Sequence, residues 1–235
     1  MSTSSELFFS RASRALLMSV RLVSPFAVGM LAAAPAYAED SIGWHKGDIV
    51  IRAGGAGVFF NSSAEVKVAG NVVPGGSVSL SNNATASGEL EYFVTSNISL
   101  AANFGIPPET RITGAGTLAP LGVAGRVRYG FGDLVARYHV GAAGRFSPFA
   151  GLGVGRIFVF STRDGSVSGL SADSAWAPVV QGGADFHLNR QISLYANVSY
   201  VPVKTDARGL MQGLPMTARV TLNPTVVQAG LSYRF

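Results

Sequence analysis

Glu89 and Glu91 stand one residue apart, with Leu90 between them and Tyr92 after. In an extended strand successive side chains leave on opposite faces, so the two carboxylates share one face and the two apolar groups the other. Paired carboxyls on one face can act as general acid and general base in a hydrolysis. They can equally be counter-ions for arginines, and Arg52, Arg126 and Arg128 supply suitable partners. The three histidines do not extend the catalytic option. His45, His139 and His187 are followed by Lys46-Gly47, Val140-Gly141 and Leu188-Asn189, with no serine two positions on to serve as an activated nucleophile. Their spacing with carboxylates resembles neither a zinc nor a calcium motif. The sequence has no cysteine, which excludes disulfide and thiolate chemistry. Neither enzyme activity nor a cofactor or metal is expected.

The elements that must position these residues read as strands. Segments of about ten residues alternate in polarity and are separated by Gly, Asn, Ser and Pro clusters, the pattern of a transmembrane β-barrel. The spacing predicts strands near 48–60, 85–94, 98–104, 121–129, 146–160, 175–186, 191–201 and 220–235, the last with a bulge near Pro224. Eight is an even number, as a closed antiparallel barrel requires. Long polar stretches at 61–84, 105–118, 161–174 and 202–218 alternate with short turns at 95–97 and 187–190, so loops and turns sort to opposite rims. The link 132–145 is long for such a turn; either the flanking strands extend into it or it is an insertion. Only 13% of the 235 residues are charged and 29 are glycine, which suits closely packed β-structure. A soluble sandwich also alternates, but its outward face is polar. Here the apolar parity is continuous through nearly every strand and the other carries small groups and ion-pair partners. That inversion favours an all-β fold, an eight-stranded antiparallel transmembrane barrel. If the apolar parity faces lipid, then Arg52, Glu89, Glu91, Asn103, Arg126, Arg128, Gln181, Asp185, Asn197 and Arg234 point inward. Small barrels fill their interiors with such side chains, so the ion-pair reading of Glu89 and Glu91 is preferred to the catalytic one. Eight strands leave room for side chains or one small ligand, not for a wide aqueous pore.

Residues 1–38 carry Arg11, Arg14 and Arg21, then an apolar run over 22–34, then Ala36-Tyr37-Ala38. A basic start, a short apolar core and an A-x-A site describe a cleaved secretory signal peptide, leaving 39–235 as the barrel. Its loss removes three arginines and one glutamate from totals of 18 basic and 13 acidic residues, so the net charge falls from +5 to about +3. No cluster of Lys and Arg marks a nucleic-acid surface, and an exported chain is not expected to meet one.

Several segments resemble one family. Gly47-Asp48-Ile49-Val50-Ile51-Arg52-Ala53-Gly54 is similar to the opening strand of the OmpW family of outer-membrane proteins. Val66-Lys67-Val68-Ala69-Gly70 and Val73-Pro74-Gly75 resemble its first loop. Residues 176–186 resemble its sixth strand, and Asn223-Pro224 with Gly230-Leu231-Ser232-Tyr233-Arg234-Phe235 its last. Thr117-Leu118-Ala119-Pro120 looks like a weakened form of its Leu-Pro-Pro approach to strand four. The match covers nearly all of the chain after residue 38, in order.

The resemblance implies an integral barrel in the outer membrane of a Gram-negative bacterium, in contact with lipid bilayer and lipopolysaccharide. It implies passive uptake of small hydrophobic molecules, as in AlkL-like relatives, without a cofactor. A charged inner face near Glu89 and Arg126 would block straight axial flow, which agrees with lateral release through the wall. Proline removes ladder hydrogen bonds, so Pro148, Pro178 and Pro224 are candidate weak points for such an opening. Trp176 matches a family tryptophan near the channel mouth, yet its parity groups it with the lipid-facing Val180 and Phe186; unless Pro178 shifts the phase, it belongs to an interfacial aromatic belt. Tyr233 and the terminal Phe235 resemble the signal read by the outer-membrane assembly machinery. The competing function is a structural or adhesive barrel with a plugged interior and partner-binding loops. A continuous apolar space from the loops to a gap in the wall favours transport; a fully packed core favours the structural role.

Overall fold

The computed structural model describes residues 42–141 and 144–235; the signal peptide expected over 1–38 lies outside the described residues. Eight long strands follow one another: β1 Ile49–Phe59, β2 Asn83–Phe93, β3 Ile98–Gly105, β4 Val123–His139, β5 Phe146–Asp164, β6 Ala175–His187, β7 Ile192–Tyr200 and β8 Thr225–Arg234. Each pairs antiparallel with the next. β8 returns to β1 with Ile51 opposite Tyr233 and Val58 opposite Val226, so the ring is closed. Closure leaves the ring of eight strands no free edge among the described residues, which a bilayer demands because nothing in it can hydrogen-bond to open backbone.

The alternation sorts the side chains across the wall. Ile49, Ile51, Leu90, Tyr92, Leu100, Leu152, Val180, Leu194, Val198 and Leu231 are exposed on the outside, while Arg52, Glu89, Glu91, Gln181, Asp185 and Asn197 are buried inside. One rim is joined by tight turns whose side chains hold the backbone. Thr95 Oγ1 accepts from the amides of Asn97 (3.2 Å) and Ile98 (2.9 Å). Asn189 Oδ1 accepts from those of Gln191 (2.9 Å) and Ile192 (2.8 Å). These are the local bonds that let Thr and Asn reverse a chain in two or three residues. In an outer-membrane barrel the short-turn rim is periplasmic.

Two expectations need correction, and one open question is answered: the fourth strand extends into the long link as far as His139, so most of that link is wall. The phase of that strand is reversed. The ladder with Glu109–Gly116 skips Ala124 between the pairs Ile112–Gly125 and Thr113–Val123. That one-residue bulge sends Val127 and Tyr129 inward and turns Arg126 and Arg128 outward. The slip near Pro224 is a break between two strands and not a bulge within one: Leu214–Thr221 ends, Asn223 takes φ 39°, and β8 begins at Thr225.

The four long connections are themselves strands. Ser63–Val68, Asn71–Val72, Val167–Ala172, Lys204–Met211 and Leu214–Thr221 form a second, five-stranded sheet. Gly76–Leu80 and Glu109–Gly116 extend the wall beside β4. In this cap sheet the polarity is opposite to that of the wall. Val66, Val167, Leu170, Ala207, Met216, Ala218 and Val220 are buried in one cluster, while Glu65, Arg208, Thr217 and Arg219 are exposed and Lys67 is half-buried. The β5–β6 connection is tightened by Asp164, whose carboxylate accepts from the amides of Gly169 (2.7 Å) and Leu170 (3.0 Å). Those two bonds favour the ionised form and hold the Asp164 carboxyl below its ordinary range.

Candidate functional site

The lumen has a charged floor and an apolar upper part. At the floor, β1 supplies Arg52, β2 Glu89 and Glu91, β4 Arg137 and His139, and β6 Gln181 and Asp185. Arg52 reaches Glu89 and Glu91 through Nη1 and bonds both oxygens of Asp185 through Nη2, at 3.0 and 3.1 Å. Arg137 donates from Nη2 to Glu89 Oε2 (2.6 Å) and from Nε to Gln181 Oε1 (2.6 Å), and Gln181 passes the chain to Ser199 Oγ at 2.9 Å. His139 Nε2 lies 3.2 Å from Glu91 Oε1 and 3.1 Å from Ser99 Oγ. Below this layer Trp44 stacks on Phe93 with centroids 4.8 Å apart and meets the His187 ring at 4.5 Å. Every ion of the layer is almost fully buried. Two guanidiniums and three carboxylates thus tie four strands together where the axial route would leave the barrel.

Of the residues that alternation turns inward, the structure brings Arg52, Glu89, Glu91, Asp185 and Gln181 together in this layer. Alternation assigned the remaining cation wrongly. Arg126 and Arg128 are exposed on the outer wall, where Arg126 pairs with Glu109 at 3.4 Å, and their expected place is held by Arg137. Asn103 and Asn197 are buried inward as expected, Asn103 donating to Asp133 Oδ1 at 2.7 Å. Arg234 sits at the periplasmic mouth, 3.3 Å from Asp48 and facing the Trp44 ring at 5.9 Å.

Above the floor lie two adjoining spaces. The lower holds roughly 730 Å³, part of it continuous with solvent, between Ala56, Val58, Ser87, Asn103, Phe131, Val201 and Gln228. The upper holds roughly 990 Å³, also partly open, between the wall and the cap sheet, and its lining of Val66, Leu118, Leu170, Met211, Met216 and Val220 is apolar. Phe60, Tyr129 and Ile157 line both, so the two spaces meet at this collar. Phe60 and Tyr129 cross edge to face there at 5.8 Å.

The lower space also reaches the outer wall. Its lining includes Phe104, Ile106 and Pro108, and Phe104 and Ile106 are exposed to the outside. The β3–β4 ladder ends at the pair Phe104–Gly132 and resumes only at Glu109–Arg128. Between them Tyr129 N donates to Pro108 O at 3.2 Å, and Pro107 and Pro108 have no N–H to offer. This slit stands apart from the three prolines singled out in the sequence. Pro148 and Pro178 lie in register opposite Ala184 and Val154, and Pro224 precedes β8 with its carbonyl accepting from Val201 N at 3.1 Å. Trp176 is on the outside, 65% exposed, with the Arg156 guanidinium 5.2 Å from its ring, so Pro178 does not shift the phase.

Comparison with known proteins gives a consistent result. The OmpW family model matches residues 45–235. The chain is 31% identical to outer membrane protein AlkL of Ectopseudomonas oleovorans, over 91% of this chain and 94% of that one. It is 34% identical to the dibenzothiophene metabolism operon protein PahQ of Pseudomonas aeruginosa, over 86% and 93%. Among solved structures, AlkL in lipid bilayers superposes with a TM-score of 0.67 at 30% identity, covering 88% of this chain and 97% of AlkL. The outer membrane protein OprG of Pseudomonas aeruginosa superposes with a TM-score of 0.79 at 21% identity, covering 83% and 99%.

Proposed function

The chain belongs to the OmpW family of outer-membrane barrels, and from that premise we propose that it admits small hydrophobic molecules and releases them sideways into the membrane. The observation that carries this reading is the succession of largely apolar spaces: the cap chamber and the lower chamber share the Phe60–Tyr129–Ile157 collar, the lower chamber is lined in part by Phe104, Ile106 and Pro108 of the β3–β4 slit, and the floor beneath is closed by ions. A solute with no polar group forfeits no hydrogen bond by leaving water for the chamber and gains roughly 25 cal/mol per Å² of apolar surface it buries. It cannot descend through the Arg52–Glu89–Arg137 layer without separating buried ion pairs, a step far costlier than a slide through a gap already lined by Phe104, Ile106 and Pro108. The similarity to AlkL and to a protein of a dibenzothiophene operon supports an apolar cargo. A structural barrel with a plugged interior would have packed the space that here stays open.

The test is the rate at which a small apolar dye enters lipopolysaccharide-containing vesicles. The barrel is expected to raise that rate over vesicles carrying an unrelated eight-stranded barrel; no acceleration would sink the transport reading. A second arm uses Pro107→Ala, which restores a backbone donor at the slit. It is expected to slow uptake several-fold by letting the β3–β4 ladder close. Unchanged uptake in that variant would remove the slit as the exit and leave transport standing.

A further inference from the structure

The outer wall just above the slit carries cations in a row. Arg126 of β4 is the register partner of Arg111 on one side and of Arg163 of β5 on the other. All three are exposed on the outer face, and Arg128 lies two residues from Arg126 on the same face. Neighbouring strands are about 4.8 Å apart, so the three backbones fall within roughly 10 Å of one another. The carboxylate that answers them is Glu109, 3.4 Å from Arg126 and 3.5 Å from Arg163. Like charges directly opposite in a sheet repel, and four guanidiniums against one carboxylate leave that repulsion largely uncompensated.

The level of the row indicates what compensates it. Directly below, the outward side chains become largely apolar: Phe104 and Ile106 beside β4, and Phe158 and Phe160 on β5, are exposed, and the Arg156 guanidinium beneath them lies over the rings of Phe158 and Trp176. The row therefore stands at the boundary where the lipid-facing band ends on the loop side of the barrel. Guanidinium groups offer planar, two-pronged donation that matches phosphate oxygens.

We propose that Arg111, Arg126, Arg128 and Arg163 form a docking site for the phosphate groups of an outer-leaflet glycolipid, held with its acyl chains against the wall beneath. The site rests on register and charge and does not depend on transport; its place above Pro107 and Pro108 puts the bound lipid's chains beside the slit.

The experiment uses the full barrel in nanodiscs and two probes, bis-phosphorylated lipid A and the same lipid A with both phosphates removed. The phosphorylated probe is expected to bind more tightly, and replacement of Arg111, Arg126 and Arg163 together by Gln to weaken it by about tenfold or more. Equal affinity for the two probes, or full retention in the triple variant, would overturn the site. Inorganic phosphate at the same concentration is expected not to displace the lipid; complete displacement would reduce the row to a simple anion site and overturn the lipid assignment. Stability supplies an independent sign. In glycolipid-free detergent Arg126→Gln relieves repulsion and is expected to leave the melting temperature equal or higher, whereas with glycolipid present the wild type is the more stable. The same direction of change in both media would contradict the proposal.

Discussion

A single residue, Arg137, shows how much of the lumen depends on a partner the alternation concealed. Its guanidinium contacts Glu89 and Glu91 and bonds Gln181, with no exposure to water. Removing one member of a buried ion cluster leaves the others charged and unpaired, which is the expensive case. Arg137→Met is therefore expected to destabilise the folded barrel by about 3–5 kcal/mol, read as a lower temperature for loss of the compact band on unheated gels. A change below about 1 kcal/mol would mean that Glu89 and Glu91 find other partners. Arg52, Glu89, Glu91 and Asp185 were legible because the segments around them alternate without interruption. Arg137 and His139 were not, because Gly130 and Gly132 blur the alternation ahead of them and the bulge at Ala124 reverses it. A parity argument carries a residue to the wrong face as soon as one position is inserted, since the period is two.

At the scale of elements, alternation found all eight wall strands in order, though it ended the fourth about ten residues early and ran the last back across Pro224, and it misread the connections. Stretches read as polar loops are strands whose apolar face is turned inward, and the Ser, Thr and Gly that spaced their hydrophobic residues disguised them. Asp164 shows how one such connection is held. Its carboxyl is kept below the ordinary value of 3.8 by the Gly169 and Leu170 amides. For a carboxyl depressed in the folded form, the stabilisation is complete above the ordinary value and disappears as pH falls through the depressed one. Amide exchange at Gly169 and Leu170, corrected for intrinsic rate, is thus expected to be slow at pH 5 and to lose protection only once pH falls below the ordinary carboxyl value of 3.8, while the amides of β1 and β8 keep theirs. Asp164→Asn is expected to remove the pH dependence. Protection that persists unchanged to pH 2 would show that the two bonds are dispensable.

For the whole molecule the decisive contact is the seam between the first strand and the last. Phe235 N donates to Ile49 O at 2.9 Å, its ring meets Tyr233 edge to face at 4.8 Å, and the Phe235 side chain is 70% exposed on the lipid side. One backbone bond and an exposed ring add little to a ring of eight paired strands, so deletion of Phe235 is expected to lower the amount of barrel assembled in cells while leaving the melting behaviour of the assembled fraction nearly unchanged. Normal assembly of the truncated chain would deny the residue any role as an address for the assembly machinery. The seam also sets an order of events. The cap sheet draws its strands from the connections β1–β2, β5–β6 and β7–β8, and its pairing of Leu214–Thr221 with Ser63–Val68 spans the seam where β8 meets β1. Until the ring closes the β1–β2 part of the cap lacks that partner, and closing such distant loops is the slow part of folding a sheet protein. The chamber is consequently the last compartment to exist, and occupancy by an apolar solute reports that every earlier step has been completed.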